Sequence, residues 1–192
     1  GPDLKIGLKL GWGGLLKKIR YYREFNKPVD TSFYDGEERF VEAVQRWIKR
    51  HVDHARLQAE AAEDEFVKEN LLQIADMNEW LIENPPRTLR ETMQFICWFQ
   101  SVDRMYFHGG AGQQLDELLR PYYEADKARG ILKDDEEVVW YVASLLFNDT
   151  HYYQIGGPSP ADGHDLTSPI SFLILEGMHK LKIPANIALR VH

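Results

Sequence analysis

The residues best suited to chemistry in this 192-residue chain lie late in the sequence. Gln154-Ile155-Gly156-Gly157 is followed by Asp162-Gly163-His164-Asp165-Leu166-Thr167-Ser168, and then at once by the apolar run from Ile170 to Leu175, ending at Glu176. A glycine pair lets the backbone turn tightly or approach another group closely. An Asp/Gly/Thr/Ser cluster orders a polar loop and supplies a helix N-cap. Because an apolar helix begins directly after it, this loop is expected to be pinned to a buried scaffold, where sites tend to sit. Gln154, Gly156, Gly157, Asp165, Thr167 and Ser168 carry two readings. Their types favour loop-fixing and capping; the other reading is direct substrate contact.

Other sets are weaker. His51 and His54 stand three apart, a spacing that puts two ligands on one helix face. A zinc or di-iron site needs more carboxylate or thiolate partners than Asp53 between them, which favours a plain helix face. Asp149, His151, His164 and Asp165 follow no ligand spacing. Gly11-Trp12-Gly13-Gly14 follows no clear strand, so it makes no nucleotide loop. Tyr152 and Tyr153 read as packing residues with a hydroxyl to satisfy. Cys97 is the single cysteine, which excludes an internal disulfide framework and suits a reducing cytosol. Inside an apolar helix its thiol behaves as a small hydrophobe.

The elements that must position these groups are mostly helices. Residues 1–34 are mixed, with a short amphipathic helix expected over Leu15–Tyr22. Asp35 with Glu38 gives a capping box for the next helix, with Phe40, Val44, Trp47, Ile48, His51 and Ala55 on its inner face. A second helix turns Phe66, Leu71, Ile74, Met77, Trp80 and Leu81 inward and stops at Pro85-Pro86. Thr88 to Glu91 caps a helix running to about Phe107. From Met93 to Val102 its only polar side chains are Gln94, Gln100 and Ser101, so it is expected to be buried on most sides. His108 to Gly112 breaks that helix. Further helices are expected over about Gln113–Arg129, bending near Pro121, from the Asp134/Glu137 cap through Leu146, and over about Ser168–Leu181. Residues 183–192 read as a turn and a strand, for which no partner strand is evident.

Length and an apolar fraction of 44% give one ordinary domain with a core and exclude a disordered chain. A net charge of −7 argues against nucleic-acid binding. No apolar run reaches a membrane span, and no secretory h-region opens the chain. The expected location is cytoplasmic.

From about Leu72 onward the chain resembles the pyruvate formate-lyase-like domain of glycyl radical enzymes. Asn84 through Phe99 looks like the family's Pro-Pro-Arg-Thr segment with its buried aromatic helix. Leu115 through Asp126 matches its acidic, tyrosine-rich run. Gln154 through Ser171 resembles its Ile-Gly-Gly and Asp-Gly block, and Pro184 to Val191 the entry into the first barrel strand. The first 70 residues match loosely.

The resemblance implies a mainly α chain serving as helical wrap of a ten-stranded α/β barrel, with a barrel strand at its C-terminal end. It implies a glycyl radical, installed by an activase that uses S-adenosylmethionine and an iron–sulfur cluster, and passed to a cysteine that abstracts a substrate hydrogen. The family's Gly-Cys-X-Glu loop and Arg-Val-X-Gly-Tyr motif do not occur in these residues. The expectation is therefore a fragment, residues 1–192 of a partial domain, inactive alone and binding no cofactor itself. Its expected partners are a small-molecule substrate, the activating enzyme, the remainder of the polypeptide and a second copy in a homodimer. His108 aligns with a family histidine that lines the substrate cavity. Its neighbour Gly109 stands where dehydratase members have serine, and Arg104 where they have glutamate. His108 can hydrogen-bond or protonate a leaving hydroxyl, and Arg104 can hold an anionic group. The resemblance favours a lyase or dehydratase acting on a small polar metabolite. Formate acetyltransferase-type cleavage with coenzyme A and a non-catalytic helical interaction module are the alternatives.

Overall fold

The computed structural model describes residues 3–103, 114–148, 152–182 and 184–191. The chain forms two compact units, one of Ile6–Pro86 and one of Gly1–Lys5 with Arg87–His192.

The Ile6–Pro86 unit is built from α1 (Leu4–Asn26), α2 (Ser32–Ala61) and α3 (Glu65–Leu81). α1 is longer than the helix expected over Leu15–Tyr22, and it breaks at Gly11 (φ 64°, ψ 175°). The break has a packing cause. A Cβ on Gly11 would lie 2.4 Å from the Asn84 carbonyl carbon, and Gly13 N–H donates to Glu83 O at 2.9 Å. The early glycines therefore let α1 press on the loop after α3.

α2 starts earlier than the Asp35 cap predicts. Asp30 accepts from Ser32 N–H at 2.8 Å and Thr31 takes the N-cap position. Asp35 falls in the first turn, and Glu38 pairs with Arg20 and Arg23 instead of closing a box. The inner face of α2 is Val41, Val44, Gln45, Ile48, Val52, Ala55 and Ala59. Phe40 and His51 are exposed, so the expected face is rotated by about one residue. On α3, Met77 and Leu81 are inside with Ala75 and Asn78, whereas Phe66 is exposed. Arg56 ties α2 to Asp76 and Glu79 of α3.

In the other unit, α4 (Leu89–Asp103), α5 (Leu115–Ala128) and α6 (Asp135–Asn148) precede strand β1 (Tyr153–Gly156), α7 (Pro169–Leu181) and strand β2 (Ile187–Arg190). α4 buries Leu89, Met93, Phe95, Ile96, Trp98 and Val102, and Cys97 is half-buried. Thr88 Oγ accepts from Glu91 N–H at 3.2 Å, but the Glu91 carboxylate turns to Arg87. α4 gains a cap from elsewhere: Asp126 on α5 accepts Leu89 N–H at 2.6 Å. α6 begins at its expected cap, with Glu137 N–H on Asp134 at 2.9 Å. It packs against α7 at Gly177, where a Cβ would stand 2.9 Å from Val142 Cγ1.

The strand without an evident partner has one. β1 and β2 form a two-stranded parallel sheet, with Tyr153 opposite Ile187 and Gly156 opposite Arg190. β1 is four residues ending in glycine, too short to stand out from the loop around it. α7 is the crossover that a parallel pair requires. Tyr153 and Ile155 are fully buried, whereas Gln154 and Ala188, paired with each other, are exposed. One face of the sheet thus carries the core and the other is open.

Candidate functional site

The C-terminal ends of β1 and β2 meet the glycine-rich loop, and four elements converge there. Asp116, on the buried face of α5, has no exposed surface. Its Oδ2 accepts from Gly156 N–H at 2.7 Å and from Ser171 Oγ at 2.6 Å, and its Oδ1 accepts from Glu117 N–H at 2.9 Å. One carboxylate therefore joins α5, the end of β1 and the first turn of α7. The same Ser171 Oγ accepts from Ser168 N–H at 3.0 Å, which orders the start of α7.

Gln114 bridges β1 on the edge away from β2, opposite Gln154. Its amide donates to Gly156 O at 2.9 Å, and its Oε1 accepts from Arg190 Nη1 at 3.1 Å. Arg190 starts on β2, on the other side of β1, so its side chain crosses the end of β1. Its second nitrogen, Nη2, donates to Pro158 O at 3.1 Å. Gly157 makes the crossing possible. It has φ +81°, and a Cβ there would lie 2.5 Å from Arg190 Cβ and 3.2 Å from Nε. Gly156, at φ +67°, also sits where side chains are strained.

Beyond the glycines the loop folds on itself. Pro158 and Asp165 form a bridge, Leu166 N–H donates to Gly157 O at 2.9 Å, and Ser159 N–H donates to His164 O at 2.7 Å. Asp165 accepts from Thr167 N–H at 2.9 Å. The His164 ring nitrogen lies 2.5 Å from Asp162 and, with Ser159, holds that carboxyl below its ordinary value. Gln114, Glu117, Arg120, Ser159 and His164 line a hollow of about 340 Å³ beside this loop.

The loop residues named from the sequence are thus brought together, and most act on the loop itself. Gly156 and Gly157 make close approaches, Asp165 fixes backbone, Ser168 has its N–H held by Ser171, and Gln154 points to the open face. Arg104, His108 and Gly109 lie outside the described residues, as do Asp149 and His151. Among the described residues no group of three or more His, Cys, Asp or Glu gathers to hold a metal ion. No described helix is long and apolar enough to cross a membrane. Asp116, Gln114 and Arg190 are the residues that sequence reasoning passed over as site groups. A signal existed for Asp116: it falls in phase with Leu119 and Tyr123 on the buried face of α5, an unusual place for a carboxylate.

The family model for pyruvate formate lyase-like proteins matches residues 1–192. The chain belongs to that family. Isethionate sulfite-lyase of Bilophila wadsworthia is 27% identical over 221 residues, which cover 99% of this chain and 26% of the relative. A structure described for 1,2-propanediol dehydration in Roseburia inulinivorans superposes with a TM-score of 0.86 at 22% identity, covering 98% of this chain and 27% of that one. A glycyl radical enzyme from Archaeoglobus fulgidus gives a TM-score of 0.81 at 22% identity, over 96% of this chain and 27% of that one. The chain spans about a quarter of the length of these proteins. The match includes the first 70 residues, and the helical chain with its small parallel sheet has the fold of the corresponding part of these enzymes.

Proposed function

We propose that this chain is the helical wrap and first barrel strand of a glycyl radical enzyme that eliminates a leaving group from a small polar metabolite. The observation that carries the reading is the family match along the whole chain, joined to relatives named for lyase and dehydration chemistry. That chemistry ranks elimination above acyl transfer to coenzyme A.

The radical would supply hydrogen abstraction. None of the 192 residues offers the Gly-Cys-X-Glu or Arg-Val-X-Gly-Tyr motif that would carry it, so no radical step is assigned to this chain. The chain's own contribution is positioning and proton handling. In this reading His108 protonates the departing group and Arg104 holds an anionic substituent, and Gly109 stands where dehydratase members have serine. The loop from Gln154 to Ser168 serves as scaffold, fixed by Asp116 and Arg190, and Gln154 is its member facing the open side. The activating enzyme, a homodimeric state and a cytoplasmic location belong to the same proposal.

The test is made in the protein at its native length, after anaerobic activation. His108→Ala is expected to cut turnover at least a hundredfold while the glycyl radical signal in electron paramagnetic resonance stays at its wild-type intensity. Normal turnover in that variant removes His108 from the site. No radical signal in the wild-type protein overturns the enzyme reading as a whole.

A further inference from the structure

We propose that Arg190, with Gln154 beside it, forms a binding site for a small-molecule oxyanion, a carboxylate, sulfonate or phosphate group, across the C-terminal ends of the parallel strands.

The charge of Arg190 is the first ground. A guanidinium carries five N–H donors and is always protonated. Arg190 is half-buried, and its two hydrogen bonds go to a neutral amide oxygen of Gln114 and a peptide carbonyl of Pro158. Among the described residues it makes no ion pair. Three other arginines of this unit are ion-paired, Arg87 with Glu91, Arg120 with Glu117 and Arg129 with Asp126, and Arg90 lies over the Tyr141 ring. A partly buried cation with three donors unused and no counter-charge among the described residues is matched to an anion by both charge and geometry.

Its placement is the second ground. In parallel sheets ligands settle outside the carboxyl ends of the strands. Gly156 and Arg190 are the last paired residues of β1 and β2, so the guanidinium lies across those ends. The loop is shaped around it, since a side chain at Gly157 would collide with Arg190.

The open face is the third. Ala188 and Arg190 share one side of β2, and Gln154, opposite Ala188, shares it on β1. Gln154 is thus a diagonal neighbour of Arg190 across the strand pair. Its amide adds neutral donors next to the guanidinium. The two buried side chains of β1, Tyr153 and Ile155, point the other way, so the anion would meet Arg190 on a surface free of core packing.

The proposal does not depend on radical chemistry, and its test uses unactivated protein, so either reading can fail alone. Inorganic phosphate and sulfate are titrated into the native-length protein at constant ionic strength, followed by calorimetry and thermal melting. Wild type is expected to bind saturably. Arg190→Gln is expected to weaken binding at least tenfold, Gln154→Ala severalfold, and Arg190→Lys by an intermediate factor. Where Arg190→Gln does not fold, the wild-type protein decides. Phosphate should slow modification of Arg190 by phenylglyoxal, read by peptide mass. Absence of saturable binding by wild type overturns the proposal. So does equal binding by wild type and the folded Arg190 variants, or phenylglyoxal modification indifferent to phosphate. A loss of thermal stability in Arg190→Gln without any anion binding by wild type makes Arg190 a brace only, and overturns it as well.

Discussion

Asp116 is a carboxylate with no solvent exposure whose hydrogen-bond partners are all neutral donors. Removing it strands Gly156 N–H and Ser171 O–H in the interior, and each stranded group costs about 1–3 kcal/mol. Asp116→Ala is therefore expected to lower stability by about 3 kcal/mol, read as a fall in urea midpoint with unchanged slope. Asp116→Asn keeps one acceptor and should lose less. Tyr141 gives a test of a different kind. Burial, then its hydrogen bond to Glu137, pushes its phenol up to about 12, against an opposing pull from Arg90. An unfolded tyrosine ionises near 10, so between these values the folded protein holds a proton that the unfolded chain releases. The stabilisation is complete below about pH 10 and is lost as pH rises through 12. Urea melts from pH 9 upward should fall less steeply for Tyr141→Phe than for wild type. Neither residue was legible as a site or switch in the sequence alone. Asp116 could be suspected from its phase on α5, but the identity of its donors could not.

At the scale of elements, local signals read well where a cap and its helix stand side by side. The Asp134/Glu137 start of α6 and the Ser168 start of α7 are where the sequence puts them. Signals fail where a distant group takes over. Glu38 has the capping spacing, yet two arginines on α1 claim it, and they hold its carboxyl below the ordinary range. On α2 the size of Phe40 and Trp47 points inward in the sequence, while the real core uses smaller Val, Ile and Ala. Gly177 shows the same contest in energy. Alanine in mid-helix is better than glycine by about 1 kcal/mol, but overpacking a tight contact costs about 1–3 kcal/mol. With Val142 Cγ1 at 2.9 Å, the packing effect should win, and Gly177→Ala is expected to lower the melting temperature. Adding Val142→Ala should restore part of that loss relative to Val142→Ala alone, in a double-mutant cycle.

At the scale of the whole molecule, large apolar side chains remain outside on both units. Phe66 is 81% exposed, and Trp140, Phe147 and Phe172 are each above 60%. Such surface suits a chain that covers something more, in keeping with relatives about four times its length. Residues 1–192 expressed by themselves are expected to bind an anilinonaphthalene dye and to self-associate on size exclusion. A monomer with no dye binding and one cooperative melt would favour the free-standing module instead. The sequence by itself determined the helical character, the caps of α6 and α7, the buried helix α4 and the family, because these are written in patterns that repeat within one or two turns of chain. Tertiary structure alone decided the partner of β2, the reach of Arg190 to Gln114 and the grip of Asp116 on Ser171. These bonds join residues 76 and 55 positions apart. No local pattern encodes such pairs. They exist because the α7 crossover brings β2 back beside β1, and because two glycines let a side chain cross where any Cβ would stand in the way.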